Sequence, residues 1–332
     1  MRPLAVLACV VGCAEWRMPA TFPEQAAGRP VVHEQALLGL SADGTAAVAE
    51  LVDADGEPPR LTLLAFGPGG PARKLLSAPP DRATGVARKV YASGRKLEPV
   101  LAALLAQDWP DGAAEAERLG YRAQAPADPD PGRLLWRVTG ADGAGALPLL
   151  LQLVRTDGPA AVLLSLSDRA GSDAIELARM PLTGSEVLPR LWLRGGVVWF
   201  LSGSVSAGDP LRRTLGLRGA SLRRGEAQLH NGHGLADYGA GELDGARREF
   251  NRAIAADPAY VDALYNAAAV AALTDRAEDA VALLGRAAAI DPGRVQVMGR
   301  NDADFKALRR RADVRALLGL RRLPPEDVPP PP

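Results

Sequence analysis

The sequence predicts an α+β protein. An antiparallel β-rich domain over residues 33–222, with a helical insert at about 83–122, precedes an all-α region over 223–320. Three observations predict this. From residue 35 to 217, short apolar runs alternate with Asp-Gly and Gly-Gly turns, the pattern of strands joined by hairpins. Between 83 and 122 the apolar spacing becomes helical. After Ala227, small residues and prolines recur at an interval of 34 positions, the mark of stacked helix pairs. A chain of 332 residues has length enough for two hydrophobic cores.

Residues 1–13 come first. Arg2 is followed by a short apolar run ending in Val10-Val11-Gly12-Cys13. The run is too short to span a bilayer. With its basic start and small residues at the end, it reads as a secretory signal peptide. Its last four residues resemble a bacterial lipobox, and Val6-Leu7-Ala8-Cys9 is a weaker match of the same kind. The resemblance implies lipidation at Cys13 and an address in the periplasm or outer membrane. Plain secretion, or an ordinary buried N-terminal segment, are the alternatives. Both cysteines of the chain lie in this segment, leaving none for a disulfide or a thiolate metal site in the body. Residues 14–32, with Pro19, Pro23 and Pro30, read as a linker.

Three meanders make up the β region. The first runs through Ala36-Leu37-Leu38-Gly39-Leu40, the strand from Ala46, the run from Leu61 to Phe66, and Leu75-Leu76. Its first turn, Ser41-Ala42-Asp43-Gly44-Thr45, places Asp-Gly between two apolar runs, a strong hairpin signal. A second meander starts near Leu134, continues at Leu149, Ala161 and Ala174, and turns at Asp142-Gly143 and Asp157-Gly158. A third uses Leu191-Trp192-Leu193, Val197 to Leu201 and Leu211 to Leu217, with Gly195-Gly196 between the first two. The Ser-x-Asp-Gly-Thr turn resembles the blade turns of TolB-type and WD40-like β-propellers. Three meanders are too few to close such a ring, so a sheet or sandwich is expected. In the insert, Val86, Val90 and Tyr91, then Leu97, Leu101, Leu104 and Leu105, keep helical spacing. Trp109-Pro110 ends the second helix and Ala113 to Leu119 suggests a third. These helices are expected to cover a face or edge of the sheet, with a mobile lid or docking arm as the alternative.

Charge and motifs exclude several functions. Thirty-nine basic residues balance 39 acidic ones, which argues against nucleic acid as a partner, since phosphate binding needs a clustered positive surface. Gly67 to Lys74 is glycine-rich but lacks the Gly-Lys-Ser/Thr ending of a phosphate loop. Gly203-Ser204-Val205-Ser206-Ala207-Gly208 lacks the Gly-x-Ser-x-Gly frame of a nucleophile elbow. Asp53 to Glu57 is too short for a calcium loop. No cofactor is implied. His230, His233 and Asp237 would fall near one helix face and are the candidate metal ligands, although a packing role accounts for both histidines. A carboxylate pair meeting only in three dimensions keeps a hydrolase of the envelope as the enzymatic alternative. Arg309-Arg310-Arg311 is expected as the solvated face of a C-terminal helix, or as a contact to anionic lipid. Residues 321–332 form a proline-rich tail.

In the repeat, Gly234, Ala246, Phe250, Ala253 and Pro258 return as Ala268, Ala280, Leu284, Ala287 and Pro292. The pattern resembles the tetratricopeptide repeat (TPR) family, with Asp302-Ala303-Asp304-Phe305 as the start of a capping helix. The resemblance implies two helical hairpins, a protein partner, and a ligand-binding inner face made of Asn231, Leu235, Tyr238, Asp262, Tyr265 and Asn266. The basic residues of the family's carboxylate clamp have no counterpart here, so an acidic peptide C-terminus is not the expected ligand. The expected function is a non-catalytic interaction or scaffold protein of the envelope. A structural spacer with a closed groove is the other non-enzymatic reading.

Overall fold

The computed structural model describes residues 31–54, 57–67, 72–93, 96, 99–128, 135–138, 149–155, 161–168, 174–182, 185–186, 189–206 and 212–320. Cys13, the rest of the signal-like segment, nearly all of the linker and the proline tail lie outside them, as do the turns at Asp55-Gly56, Asp142-Gly143 and Asp157-Gly158. The described residues divide into two units, one ending at Leu222 and one running from Arg223, with Val138, Leu149, Ser167, Asp168, Ala174 and Ile175 clustering with the latter.

The β unit begins with β1 (Val31–Leu40), β2 (Ala46–Asp53), β3 (Arg60–Phe66) and β4 (Arg73–Ser77). The helical insert is α1 (Pro80–Ala92), α2 (Leu101–Asp108) and α3 (Pro110–Arg118). Pro110 opens α3, where a missing N–H is harmless, and thereby separates it from α2. A second meander, β5 (Leu135–Val138), β6 (Leu149–Arg155), β7 (Ala161–Ser167) and β8 (Ile175–Pro181), forms a four-stranded antiparallel sheet in sequence order. The third comprises β10 (Arg190–Arg194), β11 (Val197–Val205) and β12 (Arg212–Ser221), with the two-residue β9 (Ser185–Glu186) pairing on β11.

The first and third meanders are one sheet, in the order β10-β11-β12-β1-β2-β3-β4. They join through β1 and β12, which run parallel, with Val32 opposite Arg213 and Glu34 opposite Leu215. A sheet was expected, but this parallel pair corrects the expectation that the region is antiparallel throughout. Parallel neighbours need a long crossover, and the whole chain between β1 and β12 supplies it.

Alternation along the strands explains the layers. Val32 and Ala36 of β1, with Ala47, Ala49 and Leu51 of β2, pack under Val86, Val90, Leu101, Leu105 and Trp109 of the insert. The helices therefore cover one sheet face, as expected. On the opposite face Leu40, Ala46, Val48 and Phe66 meet Trp199, Leu201, Leu215 and Leu217. The sheet curls enough for the Trp199 indole N–H to donate to the Gly44 carbonyl at 2.9 Å. Gly44 (φ 85°) and Gly195 (φ 60°) sit at the tips of two hairpins packed on each other. A Cβ on Gly195 would lie 2.6 Å from the Asp43 backbone. Gly195→Ala therefore meets both a steric clash and a left-handed backbone, and should lower stability by about 1–3 kcal/mol. Urea titration followed by tryptophan fluorescence checks this, because Trp109, Trp136, Trp192 and Trp199 belong to the β unit and residues 223–332 contain no tryptophan.

The helical unit begins with α4 (Leu222–Gly239), α5 (Leu243–Ala256), α6 (Val261–Leu273) and α7 (Ala277–Ile290). Both ends of α7 lie 34 positions beyond those of α5, so the sequence interval is the interval of the hairpins. Gly241 (φ 82°) and Asp275 (φ 57°) turn the chain between the helices of each pair. The small residues mark close crossings: a Cβ on Gly234 would lie 2.5 Å from the Phe250 ring, and Ala268 packs with Ala280, Leu284 and Ala287. Asp291 caps α8 (Pro292–Gly299) by accepting from the Arg294 N–H at 2.9 Å.

Beyond α8, the expected capping helix is a 3-10 turn (Ala303–Leu308) followed by the short α9 (Ala312–Leu317). The arginine run lies between these two elements and not inside a helix. Arg309 is buried and donates to the Asp302 carbonyl at 2.7 Å. Arg311 pairs with Glu278 and Asp313. Local acceptors thus engage two of the three guanidiniums, which removes the solvated helix face expected for them. Among the described residues, no helix is long and apolar enough to cross a membrane.

Candidate functional sites

The six residues expected to meet a partner fall on α4 and α6, the first helices of the two hairpins. Five of them are engaged within the chain. Tyr265 is buried, its ring packs edge-on to Phe305, and its hydroxyl donates to Asp302 at 2.6 Å. The Tyr238 hydroxyl donates to Asp304 at 2.7 Å. Asn266 donates its side-chain amide to Asn231 at 2.9 Å, tying α6 to α4. Asp262 accepts both arms of the Arg294 guanidinium, at 2.6 and 2.7 Å. Leu235 stands apart, with 48 % of its surface exposed. The segment from Asp302 to Phe305 therefore occupies the face of α6 where a ligand was expected. Asp302 and Asp304 hold it there by taking the two tyrosine hydroxyls.

These contacts set the tyrosines' chemistry. Burial, and then the Asp302 carboxylate, raise the Tyr265 hydroxyl far above the ordinary phenol range; burial and the Asp304 hydrogen bond do the same for Tyr238. Burial also raises the Asp304 carboxyl, with the Asp302 charge adding to it and the Tyr238 hydrogen bond opposing it. Because both phenols titrate higher in the folded chain, the stability they confer is complete below the unfolded value of about 10 and is lost as pH rises beyond it. Ellipticity at 222 nm should show the helices weakening above about pH 10. Tyr265→Phe should lower stability at neutral pH by about 1.5–3 kcal/mol, the range for a hydrogen bond to a charged group, and flatten the alkaline fall. An unchanged alkaline slope in this variant would mean that Tyr265 does not cause it.

The histidines converge, but with a different third residue. His230 and His233 of α4 meet Glu249 of α5, and one ligand atom from each lies within 4.8 Å of the other two. Glu249 is 2.8 Å from His230 Nδ1 and 4.0 Å from His233 Nδ1. Asp237, the carboxylate expected from helix spacing, instead lies over Gly245, where an added Cβ would come within 2.6 Å of its carboxylate oxygen. The spacing placed the three side chains on one helix, whereas the facing helix supplies the third group. Sequence reading missed Glu249 for this reason.

The β unit has its own polar cluster. On β2 the side-chain parity that buries Ala46 and Val48 continues to Glu50 and Val52, where it opens into a cleft of about 550 Å³ lined also by Arg60, Thr62, Lys74 and Ser77. Glu50 accepts from Gln35 at 2.8 Å and lies 2.9 Å from His33 Nε2. Burial raises its carboxyl, but His33, Gln35 and Arg60 together outweigh this and hold it below the usual carboxylate range. A carboxylate held ionised in this way serves as an acceptor or a counter-charge; a general acid would need the opposite shift. Gly203-Ser204-Val205, part of the serine-containing motif, lies in β11, on a strand and not on a nucleophile turn.

Comparison with known proteins gives no match to a family model, a curated protein or a solved structure.

Proposed function

We propose that the protein is a non-catalytic interaction protein of the bacterial cell envelope, tethered through lipidated Cys13, whose C-terminal helices form a two-repeat TPR module closed by its own cap. The observation that carries this reading is the 34-residue register, supported by two successive helix pairs with small residues where the helices cross. Export is supported by the signal-like start and by the confinement of both cysteines to it. The contacts of Asp302 and Asp304 favour a partner surface displaced from the inner face of α6 to the exposed part of α4 around Leu235.

Site-specific photo-crosslinking in cells tests this. A crosslinker at position 235 is expected to trap a second protein, and one at 265 to trap none. If neither position yields an adduct, the structural-spacer reading replaces the interaction reading. Palmitate labelling lost in Cys13→Ala tests the anchor, and an unprocessed, unlabelled wild-type chain would remove it.

A further inference from the structure

We infer that His230, His233 and Glu249 form a binding site for one divalent transition-metal ion of borderline softness, zinc being the representative, which ties α4 to α5. Imidazole nitrogen and carboxylate oxygen are donors suited to such ions, whereas a hard ion such as magnesium prefers oxygen throughout. The two histidines are three positions apart, so one turn of α4 presents both on the same side. Glu249 comes from the facing helix. A helix pair that brings these three donors within 4.8 Å needs little adjustment. With bonds of about 2.0–2.2 Å, tetrahedral ligand atoms stand roughly 3.4 Å apart. A closure of at most about 1.4 Å, from 4.8 Å to that spacing, lies within reach of side-chain rotation.

The surroundings suit the same purpose. Arg252 donates to the other Glu249 oxygen at 2.5 Å, which orients the carboxylate. If His233 coordinates through Nδ1, its outer nitrogen faces Asp168 at 3.7 Å, in the manner of the carboxylates that steady metal-bound imidazoles. The rings of His230 and His233 lie edge to face, 6.3 Å apart, so both can turn towards Glu249 without colliding. A helix-packing role needs only the His230–Glu249 hydrogen bond, and the second histidine at the same carboxylate is what that role leaves unexplained. Three protein ligands leave a fourth position for water or an outside donor.

The benefit to the fold lies where the core is thin. The second hairpin and its cap share a broad apolar cluster that includes Leu264, Leu284, Val295 and Phe305. Among the described residues, the first hairpin contributes two small clusters, around Ala253 and around Phe250. A metal bridge from α4 to α5 would staple that hairpin.

The test uses the full chain after chelation and dialysis, with zinc, cobalt and magnesium salts as probes. Equilibrium dialysis with elemental analysis is expected to find one zinc per chain and no magnesium. Cobalt is expected to give the visible absorption of a low-coordinate nitrogen–oxygen site. His233→Ala changes a side chain that is 40 % exposed, and Glu249→Gln keeps the shape of the helix pair. Each should weaken zinc by at least as much as losing a group hydrogen-bonded to a metal ligand does, about 10–100-fold, with the circular dichroism spectrum unchanged. Zinc should raise the melting temperature of the wild type and not of His233→Ala. Absence of zinc binding by the wild type, or binding that survives both substitutions, overturns the assignment.

Discussion

Arg213→Ala should destabilise the β unit by about 3–5 kcal/mol, the cost of leaving one member of a buried ion pair alone. Arg213 and Glu34 are both fully inaccessible to solvent, and the Arg213 Nε–H donates to Glu34 Oε2 at 2.5 Å. Neither group has only this one role. Glu34 Oε1 also accepts the N–H groups of Val100 and Leu101, at 2.8 and 2.9 Å, where α2 begins. A carboxylate there satisfies donors that the helix cannot satisfy itself and suits the positive end of its dipole. Arg213 also donates to the Lys96 carbonyl at 2.7 Å. The pair thus fastens three distant pieces of chain: β1, β12 and the insert. Glu34→Ala should cost more than Arg213→Ala, since it strands a guanidinium and two backbone donors together. A double replacement, Glu34→Leu with Arg213→Met, should recover part of the loss, but the Val100 and Leu101 donors remain without their acceptor and keep it short of wild type. Urea titration followed by tryptophan fluorescence separates these cases. An Arg213→Ala midpoint within about 1 kcal/mol of wild type would show that the pair contributes little to the β1–β12 junction.

That junction also marks where the sequence stops being readable. Hairpins are local, and Ser41-Ala42-Asp43-Gly44-Thr45 identifies one because the turn residues stand beside the strands they join. The Asp43 carboxylate accepts the Thr45 N–H at 3.0 Å, a contact of neighbours in sequence. By contrast, the parallel pairing of β1 with β12 joins Val31 to Arg212, and nothing near either strand specifies the other. Two signals were nonetheless present, in Glu34 and Arg213. Each is a charge that the folded sheet buries, and a buried charge needs a partner of opposite sign, although Arg212 and Arg218 in the same strand kept Arg213 from standing out. The helical hairpins were legible for the opposite reason. Gly234 and Ala246 are small beside a large neighbour, Phe250, which returns after 34 positions as Leu284 beside Ala268 and Ala280. The candidate sites were legible only by half. Helix spacing brought out His230 and His233, yet their third partner comes from α5. The repeat resemblance put Tyr238 and Tyr265 on an inner face and gave no sign that Asp302 and Asp304 would take both hydroxyls.

Phe250→Ala should destabilise the helical unit by about 3–5 kcal/mol, the usual cost of emptying a buried phenylalanine site. Phe250 is wholly buried and packs among Ala246, Ala267 and Val270. Gly234 lies directly beneath its ring and has no side chain to fill the space left behind. The fully buried neighbours are fixed on helices and limit collapse, while the larger Tyr238, Leu243, Ile254 and Leu283 border the cluster and can fill part of the space. The converse change is informative. Gly234→Ala puts a methyl 2.5 Å from the ring and forces ring or helix to move, at about 1–3 kcal/mol despite the better helix propensity of alanine. Together, Gly234→Ala and Phe250→Leu should cost less than the sum of the two single changes, because the smaller side chain makes room for the methyl. Hydrogen exchange resolved to peptides of α4–α7 measures all of these. The Phe250→Ala loss corresponds to amide opening about 100- to 4,000-fold more frequent, at a tenfold change for each 1.4 kcal/mol. Additive behaviour of the Gly234 and Phe250 substitutions would mean that their contact is not what holds α4 against α5, and the load would then fall on the His230–Glu249 hydrogen bond between the same two helices.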